Sequence, residues 1–219
     1  PTRVVPCSAD LNLFTLTDEE QKQVSRKNLG IEKDEFILSY LGSLGTWYLL
    51  DEMLLLFKNI KRDYKKSRFL ILTPDNPQIV YQKAAGLGLD KKDFIITFAD
   101  RKSVPLVIKA CDLSVSFIKP AYSKIASSPT KLGELLAMGI PVICNSIGDV
   151  EMIISTSGGG AMINQFDTDN FRKIVSGIPN LLAKSKSQIR SNIEEYYSLT
   201  NAIGVYQKVY RQLLNDQLN

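Results

Sequence analysis

The sequence contains no histidine. Ser-His-Asp and Cys-His nucleophile systems therefore cannot be assembled within this chain, and imidazole-containing zinc sites are excluded as well. Cysteine is scarce: Cys7, Cys111 and Cys144 are odd in number and scattered without ligand spacing. Cys111 and Cys144 stand in apolar stretches and read as small buried hydrophobes in a reducing cytoplasm. No apolar run reaches the length of a membrane span, and the first residues lack a signal-peptide layout. The chain also begins without Met, as an excised segment would. Neither sign of charge dominates: 27 Lys and Arg against 23 Asp and Glu leave a formal +4. That suits anionic small molecules or an acidic membrane surface and is too small to argue for nucleic acid. Repeats, long linkers and low-complexity tracts are missing. Chemistry must then come from carboxylates, lysines, arginines, hydroxyls and backbone. Nothing resembles a carboxylate cluster for magnesium, so neither a metal nor a cofactor is expected.

What is present is a regular alternation. Short apolar runs predict strands over 36–41, 69–73, 94–98, 113–117, 141–144 and 161–163. Helical patterns fall between and after them, over 48–64, up to 85, from Ser103 onward, and over 129–138, 150–154, 167–178, 187–197 and 200–214. The first 28 residues read as an extended piece, a loop and a helix capped by Thr17 or Asp18. Uniformly apolar strands alternating with helices indicate a parallel sheet covered on both faces. The expected fold is a Rossmann-like three-layer α/β/α domain over 1–219, with a mostly parallel six-stranded sheet. Ligands of such sheets bind beyond the carboxyl ends of the strands.

One segment there carries the argument: Ser127-Ser128-Pro129-Thr130-Lys131-Leu132-Gly133-Glu134-Leu135-Leu136-Ala137-Met138-Gly139-Ile140-Pro141. Ser128 is a plausible N-cap, Pro129 suits the first helical position, and Gly139 suits the stop. At helical spacing Ser127, Thr130, Lys131 and Glu134 share one face, with Leu132, Leu135 and Leu136 on the other. Such a helix packs on the sheet and offers a partial positive charge and free N–H groups at its start, as a phosphate requires. Glu134 stands about one and a half turns further along, within reach of a sugar hydroxyl. On spacing alone, a capped amphipathic helix with solvated Lys and Glu is an equal alternative.

The segment resembles the donor-site helix of the retaining, nucleotide-sugar-dependent GT-B glycosyltransferases of family four (glycosyl transferases group 1), in which a Ser/Thr-Pro-x-Lys-x-x-Glu type stretch precedes a sequence like Leu136-Ala137-Met138-Gly139-Ile140-Pro141-Val142-Ile143. Val5-Pro6-Cys7-Ser8-Ala9-Asp10-Leu11-Asn12-Leu13-Phe14 is similar to the start of the family's C-terminal domain. Leu41-Gly42-Ser43-Leu44-Gly45 is similar to its first strand-loop, where glycine lets the backbone approach a diphosphate. Tyr206, Tyr210 and Leu213 look like part of a closing helix over 199–219. The resemblance implies the C-terminal half of a GT-B fold, with acceptor binding in an N-terminal domain of the same protein.

It further implies ribose binding by Glu134 and diphosphate contacts by Ser128, Thr130 and Lys131. Sugar transfer would proceed with retention from a nucleotide-diphosphate sugar to a glycan or lipid-linked glycan, and the isolated domain would be inactive. Three places depart from the family pattern. Ala126 stands where a second Glu is usual, which leaves the contact to the transferred sugar unassigned. Ser43 replaces an Arg and the Trp47-Tyr48-Leu49 run stands where a Lys is usual, so compensating positive charge falls to Arg101, Lys119, Lys124 or Lys131, with Lys131 and Lys119 as diphosphate stabilisers.

Other residues keep two readings. Arg101 is placed to stack on a base or pair with phosphate, or to lie solvated. Lys119 and Lys124 border the sugar end or are loop surface. Asp149 is an N-cap or a substrate contact. Trp47 and Tyr48 line the cleft or staple a partner domain. Lys58, Lys61, Arg62, Lys65, Lys66 and Arg68 form a solvated basic face, or meet anionic lipid headgroups at the inner face of a membrane. Two rival functions stand beside the transferase: a non-catalytic sugar-nucleotide-binding module, and another nucleotide-dependent α/β enzyme such as a sugar epimerase. A dinucleotide oxidoreductase lacks its Gly-x-Gly-x-x-Gly here.

Overall fold

A computed structural model describes residues 3–126 and 128–216. Its centre is a six-stranded sheet ordered β3-β2-β1-β4-β5-β6, every pairing parallel. The strands are β1 Phe36–Leu41, β2 Ser67–Leu72, β3 Phe94–Thr97, β4 Leu113–Ser116, β5 Val142–Cys144 and β6 Gly160–Met162. The chain runs outward from β1 to β3, then returns to lay β4 on the other side of β1. That reversal opens a crevice above the carboxyl ends of β1 and β4.

Period-two alternation divides the strands between two cores. Ile37, Leu41, Leu70, Leu72, Val142 and Cys144 face one layer. It is formed by α1 Glu19–Asn28, α4 Val104–Ile108, α6 Thr130–Ala137, α7 Val150–Ser157 and α9 Lys186–Tyr197. Leu38, Tyr40, Phe69, Ile71, Val115 and Ile143 face the other, formed by α2 Leu50–Asp63, α3 Gln78–Ala85 and α8 Thr168–Leu182. The expected three-layer architecture is therefore present, and the sheet is parallel throughout.

Local chemistry explains several boundaries. Asp18 caps α1 by accepting the Gln21 amide at 2.7 Å, and Asp167 caps α8 through the Asn170 amide at 2.8 Å. Gly139 stops α6 in the left-handed region at φ 72°. A one-turn helix, α5 Tyr122–Ile125, follows β4; four residues are too few to show a helical period. Two backbone hydrogen bonds, Ala9 N to Tyr197 O at 2.8 Å and Leu199 N to Ala9 O at 3.2 Å, lace the N-terminal segment to the junction of α9 with α10 Leu199–Asp216.

Candidate functional site

The crevice is walled by the loops after β1 and β4. They are pinned together by hydrogen bonds from Leu49 N to Phe117 O at 3.1 Å and from Lys119 N to Trp47 O at 2.8 Å. Gly42 begins the first loop with φ 127°, a conformation that side chains disfavour. A Cβ there would also stand 3.4 Å from Lys131 Nζ. The Tyr40 hydroxyl donates to Ser43 O at 2.6 Å, and the Asp75 carboxylate accepts the Leu44 amide. Gly45 has open space around it and no positive φ, so the glycine requirement of this loop falls on Gly42 alone.

Lys131 stands on the first turn of α6 and reaches under that loop. Its ammonium donates to Leu41 O at 3.1 Å and lies 3.7 Å from the centre of the Tyr48 ring and 4.8 Å from that of Tyr40. Burial, with a smaller push from the Lys124 charge, brings its pKa down to about 7 against the opposing pull of Cys144 and Glu134. One turn on, Glu134 is 4% exposed, and its carboxylate is paired with Arg101 from the loop after β3. The Arg101 guanidinium also lies over the Phe14 ring, 4.8 Å from its centroid. Beyond the carboxyl ends of β1, β2 and β3 is a hollow of about 170 Å³ lined by Leu41, Gly42, Thr73, Pro74, Phe98 and Ala99. A roomier apolar hollow of about 380 Å³ lies apart from it, between residues 4–8 and α7, α9 and α10.

Three sequence expectations are corrected here. Ser128 does not cap α6: Pro129 holds the N-cap position without any side-chain bond, and the Ser128 hydroxyl meets Tyr196 Oη at 3.2 Å. The helix is not two-faced either. Leu132 through Ala137 are all buried, because α9 covers the side away from the sheet; a Cβ on Gly133 would come within 2.3 Å of the Tyr197 ring. Asp149 holds the N-cap position of α7, but its carboxylate accepts the Tyr196 hydroxyl at 2.6 Å instead of a helix amide. Ser127 lies outside the described residues.

The fold thus gathers Gly42, Ser43, Leu44, Thr130, Lys131, Glu134 and Arg101 around the crevice. Lys124 lies on the rim with its ammonium 5.1 Å from the Trp47 ring centre, and Lys119 is exposed beside it. Tyr48 lines the cleft. Phe14, Tyr40, Asp75 and Tyr196 also shape the site and were not singled out from sequence; Tyr40, a hydroxyl-bearing ring closing an apolar run, was the most detectable. The basic run at the end of α2 lies at the opposite edge. There Lys66 and Asp34 form an exposed pair at 2.6 Å, whereas Lys61 pairs with the buried Asp93 at 2.8 Å and Arg68 with the largely buried Glu35 at 2.6 Å, so part of the run is tied into the structure and is not a wholly solvated face. Burial pushes both the Cys111 and Cys144 thiols up to about 12, which accords with inert packing residues. Among the described residues no helix is long and apolar enough to cross a membrane.

Residues 21–196 match the family model described as glycosyl transferases group 1. A Bacillus subtilis (strain 168) protein named as the teichuronic acid biosynthesis glycosyltransferase TuaC is 29% identical over 153 residues, 68% of this chain and 34% of that protein. Among solved structures, Anabaena HepE in complex with UDP and glucose superposes with a TM-score of 0.74 at 16% identity, covering 97% of this chain and 56% of that one. The C-terminal domain of the group 1 family protein LpcC from Francisella tularensis gives 0.65 at 18%, covering 87% and 98%. The chain therefore spans about a third of the curated relative and just over half of HepE. Its fold is that of the Rossmann-like C-terminal half of a GT-B glycosyltransferase.

Proposed function

This chain belongs to the glycosyl transferases group 1 family, and from that premise we propose that it is the donor-binding half of an enzyme that transfers a sugar from a nucleotide-diphosphate sugar. The observation that carries the proposal is the seat of Lys131. A lysine enclosed by two tyrosine rings and a strand-end carbonyl, beneath the left-handed turn at Gly42, places a cation at the start of α6 where no side chain occupies the cap. A diphosphate fits that chemistry through the helix end and the ammonium together. Glu134 then takes the ribose hydroxyls, and Arg101, released or shared, faces the base or the phosphates. That the Anabaena fold-mate is complexed with UDP and glucose supports a sugar nucleotide here.

Catalysis on this reading is electrostatic. Lys131 and the first amides of α6 stabilise the charge that develops on the departing diphosphate, aided at the rim by Lys124 and Lys119. The acceptor, a glycan or lipid-linked glycan, would be held by an N-terminal domain, on the cytoplasmic side, and transfer would retain the anomeric configuration. Ala126 leaves the group that handles the transferred sugar to be found.

A thermal-shift panel of UDP, GDP, ADP and their sugars tests the site. One diphosphate class should stabilise the chain as RT ln(1 + [L]/Kd), and Glu134→Ala should remove the shift. If no nucleotide acts, or the Glu134→Ala shift is unchanged, the site is wrong. Binding without transfer or hydrolysis by the full-length protein would instead favour a non-catalytic module.

A further inference from the structure

Glu134 is a carboxylate on a helix that hides nearly everything around it: Leu132 through Ala137 are all buried. A carboxylate so enclosed is costly unless it is paired and hydrogen-bonded. Its partner does not come from α6. Arg101, 33 residues earlier on the loop after β3, donates from Nη1 to Glu134 Oε1. Among the described residues no other hydrogen bond or ion pair reaches this carboxylate. Oε2 therefore keeps its lone pairs for a donor from outside the chain.

The guanidinium is held in its turn. It lies over the Phe14 ring, 4.8 Å from the centroid, and that ring is buried. Arg190 fixes the main chain beneath the ring, donating to Phe14 O and Leu11 O at 2.6 Å each. The loop that carries Arg101 is itself closed by the Asp100 carboxylate, which accepts the Ser103 amide at 2.8 Å. A half-exposed arginine in a bare surface pair would wander among rotamers and contribute little. Here a ring on one side and a carboxylate on the other fix the plane of the guanidinium.

We propose that Arg101 is a positioning residue for the ribose: it stays on Oε1 when the donor binds, gives the enclosed carboxylate its counter-charge, and aims Oε2 at the ribose hydroxyls. This role rests on the donor site proposed above. It differs from a direct contact with base or phosphate, because Arg101 then acts on the nucleotide only through Glu134. Loss of the arginine should accordingly weaken recognition of the ribose hydroxyls and leave the hold on base and phosphates as it was.

The test is calorimetric titration of the chain with UDP, GDP and ADP, each beside its 2′-deoxy and 3′-deoxy forms. The ribonucleotide that binds should exceed at least one of its deoxy forms by about tenfold or more in affinity, as a hydrogen bond to a charged group does. In Arg101→Met that ratio should fall to about threefold or less, while the deoxy form binds variant and parent alike. Arg101→Lys, which keeps the charge, should give an intermediate ratio. Should Arg101→Met fail to fold by circular dichroism, Phe14→Leu, which takes away the ring under the guanidinium, should lower the ratio in the same direction. An unchanged ratio in the folded variant, an equal loss for ribo and deoxy forms, or a parent ratio near one overturns the proposal. An unchanged ratio or an equal loss leaves the donor site standing. Binding of no nucleotide at all removes the donor site itself, and the ribose role with it.

Discussion

Arg101 closes over Glu134: a half-exposed guanidinium, resting on the Phe14 ring, is paired with a carboxylate that is almost fully enclosed. Removing the cation leaves that carboxylate buried and alone. Arg101→Ala should destabilise the chain by about 1–3 kcal/mol, the cost of an unsatisfied buried polar group. Glu134→Gln in the same chain should recover part of it. Urea denaturation of the two single variants and the double variant checks this; strictly additive losses would mean the pair is not coupled.

Lys131 gives a pH signature. Its folded pKa, about 7, lies below the ordinary 10.5, so between those values the unfolded chain holds more protons. Its contribution to stability therefore rises with pH across that window and is least favourable below it. Lys131→Met should raise the melting temperature at pH 6 and change it much less near pH 10. On the proposed function, a diphosphate arriving above pH 7 should draw a proton onto Lys131. Binding heats should then vary with the ionisation enthalpy of the buffer, and equal heats in all buffers would exclude proton uptake.

Gly133 has no room for a methyl group, since the Tyr197 ring occupies the place of its Cβ. Gly133→Ala should cost about 1–3 kcal/mol or more through overpacking. Adding Tyr197→Leu should relieve part of the loss, and a thermal melt of both variants reads the difference.

Ser128 contributes through Tyr196 and not through the helix. Ser128→Ala should cost less than the ~1 kcal/mol typical of a lost N-cap. A loss of 1–2 kcal/mol would restore the capping role.

The strands were legible because each is a short apolar run with turn-forming residues beyond it, and Asp18 and Gly139 announced their helix ends by residue type alone. The α6 segment was read correctly in position and wrongly in environment. Periodicity reports how side chains are distributed on a helix, but Gly133 is covered by Tyr197 of α9, more than fifty residues further along the chain, and Glu134 by Arg101 from the loop after β3. Arg101 and Glu134 are 33 residues apart, and their pairing depends on the ends of β3 and α6 meeting across the crevice. Ser128 shows the limit of residue preference: a good cap type stood one place too early, and a tyrosine from α9 took its hydroxyl.

The lacing of Ala9 to Tyr197 and Leu199 makes a pivot of the point where α10 departs. The helix is a rod of about 27 Å by its residue count, with Ile203, Tyr206, Tyr210 and Leu213 outward. At its root, the Tyr197 hydroxyl donates to Pro129 O at 3.2 Å, at the start of α6. The root of the exposed rod and the first turn of α6, which carries Lys131, are therefore joined through a single side chain, that of Tyr197.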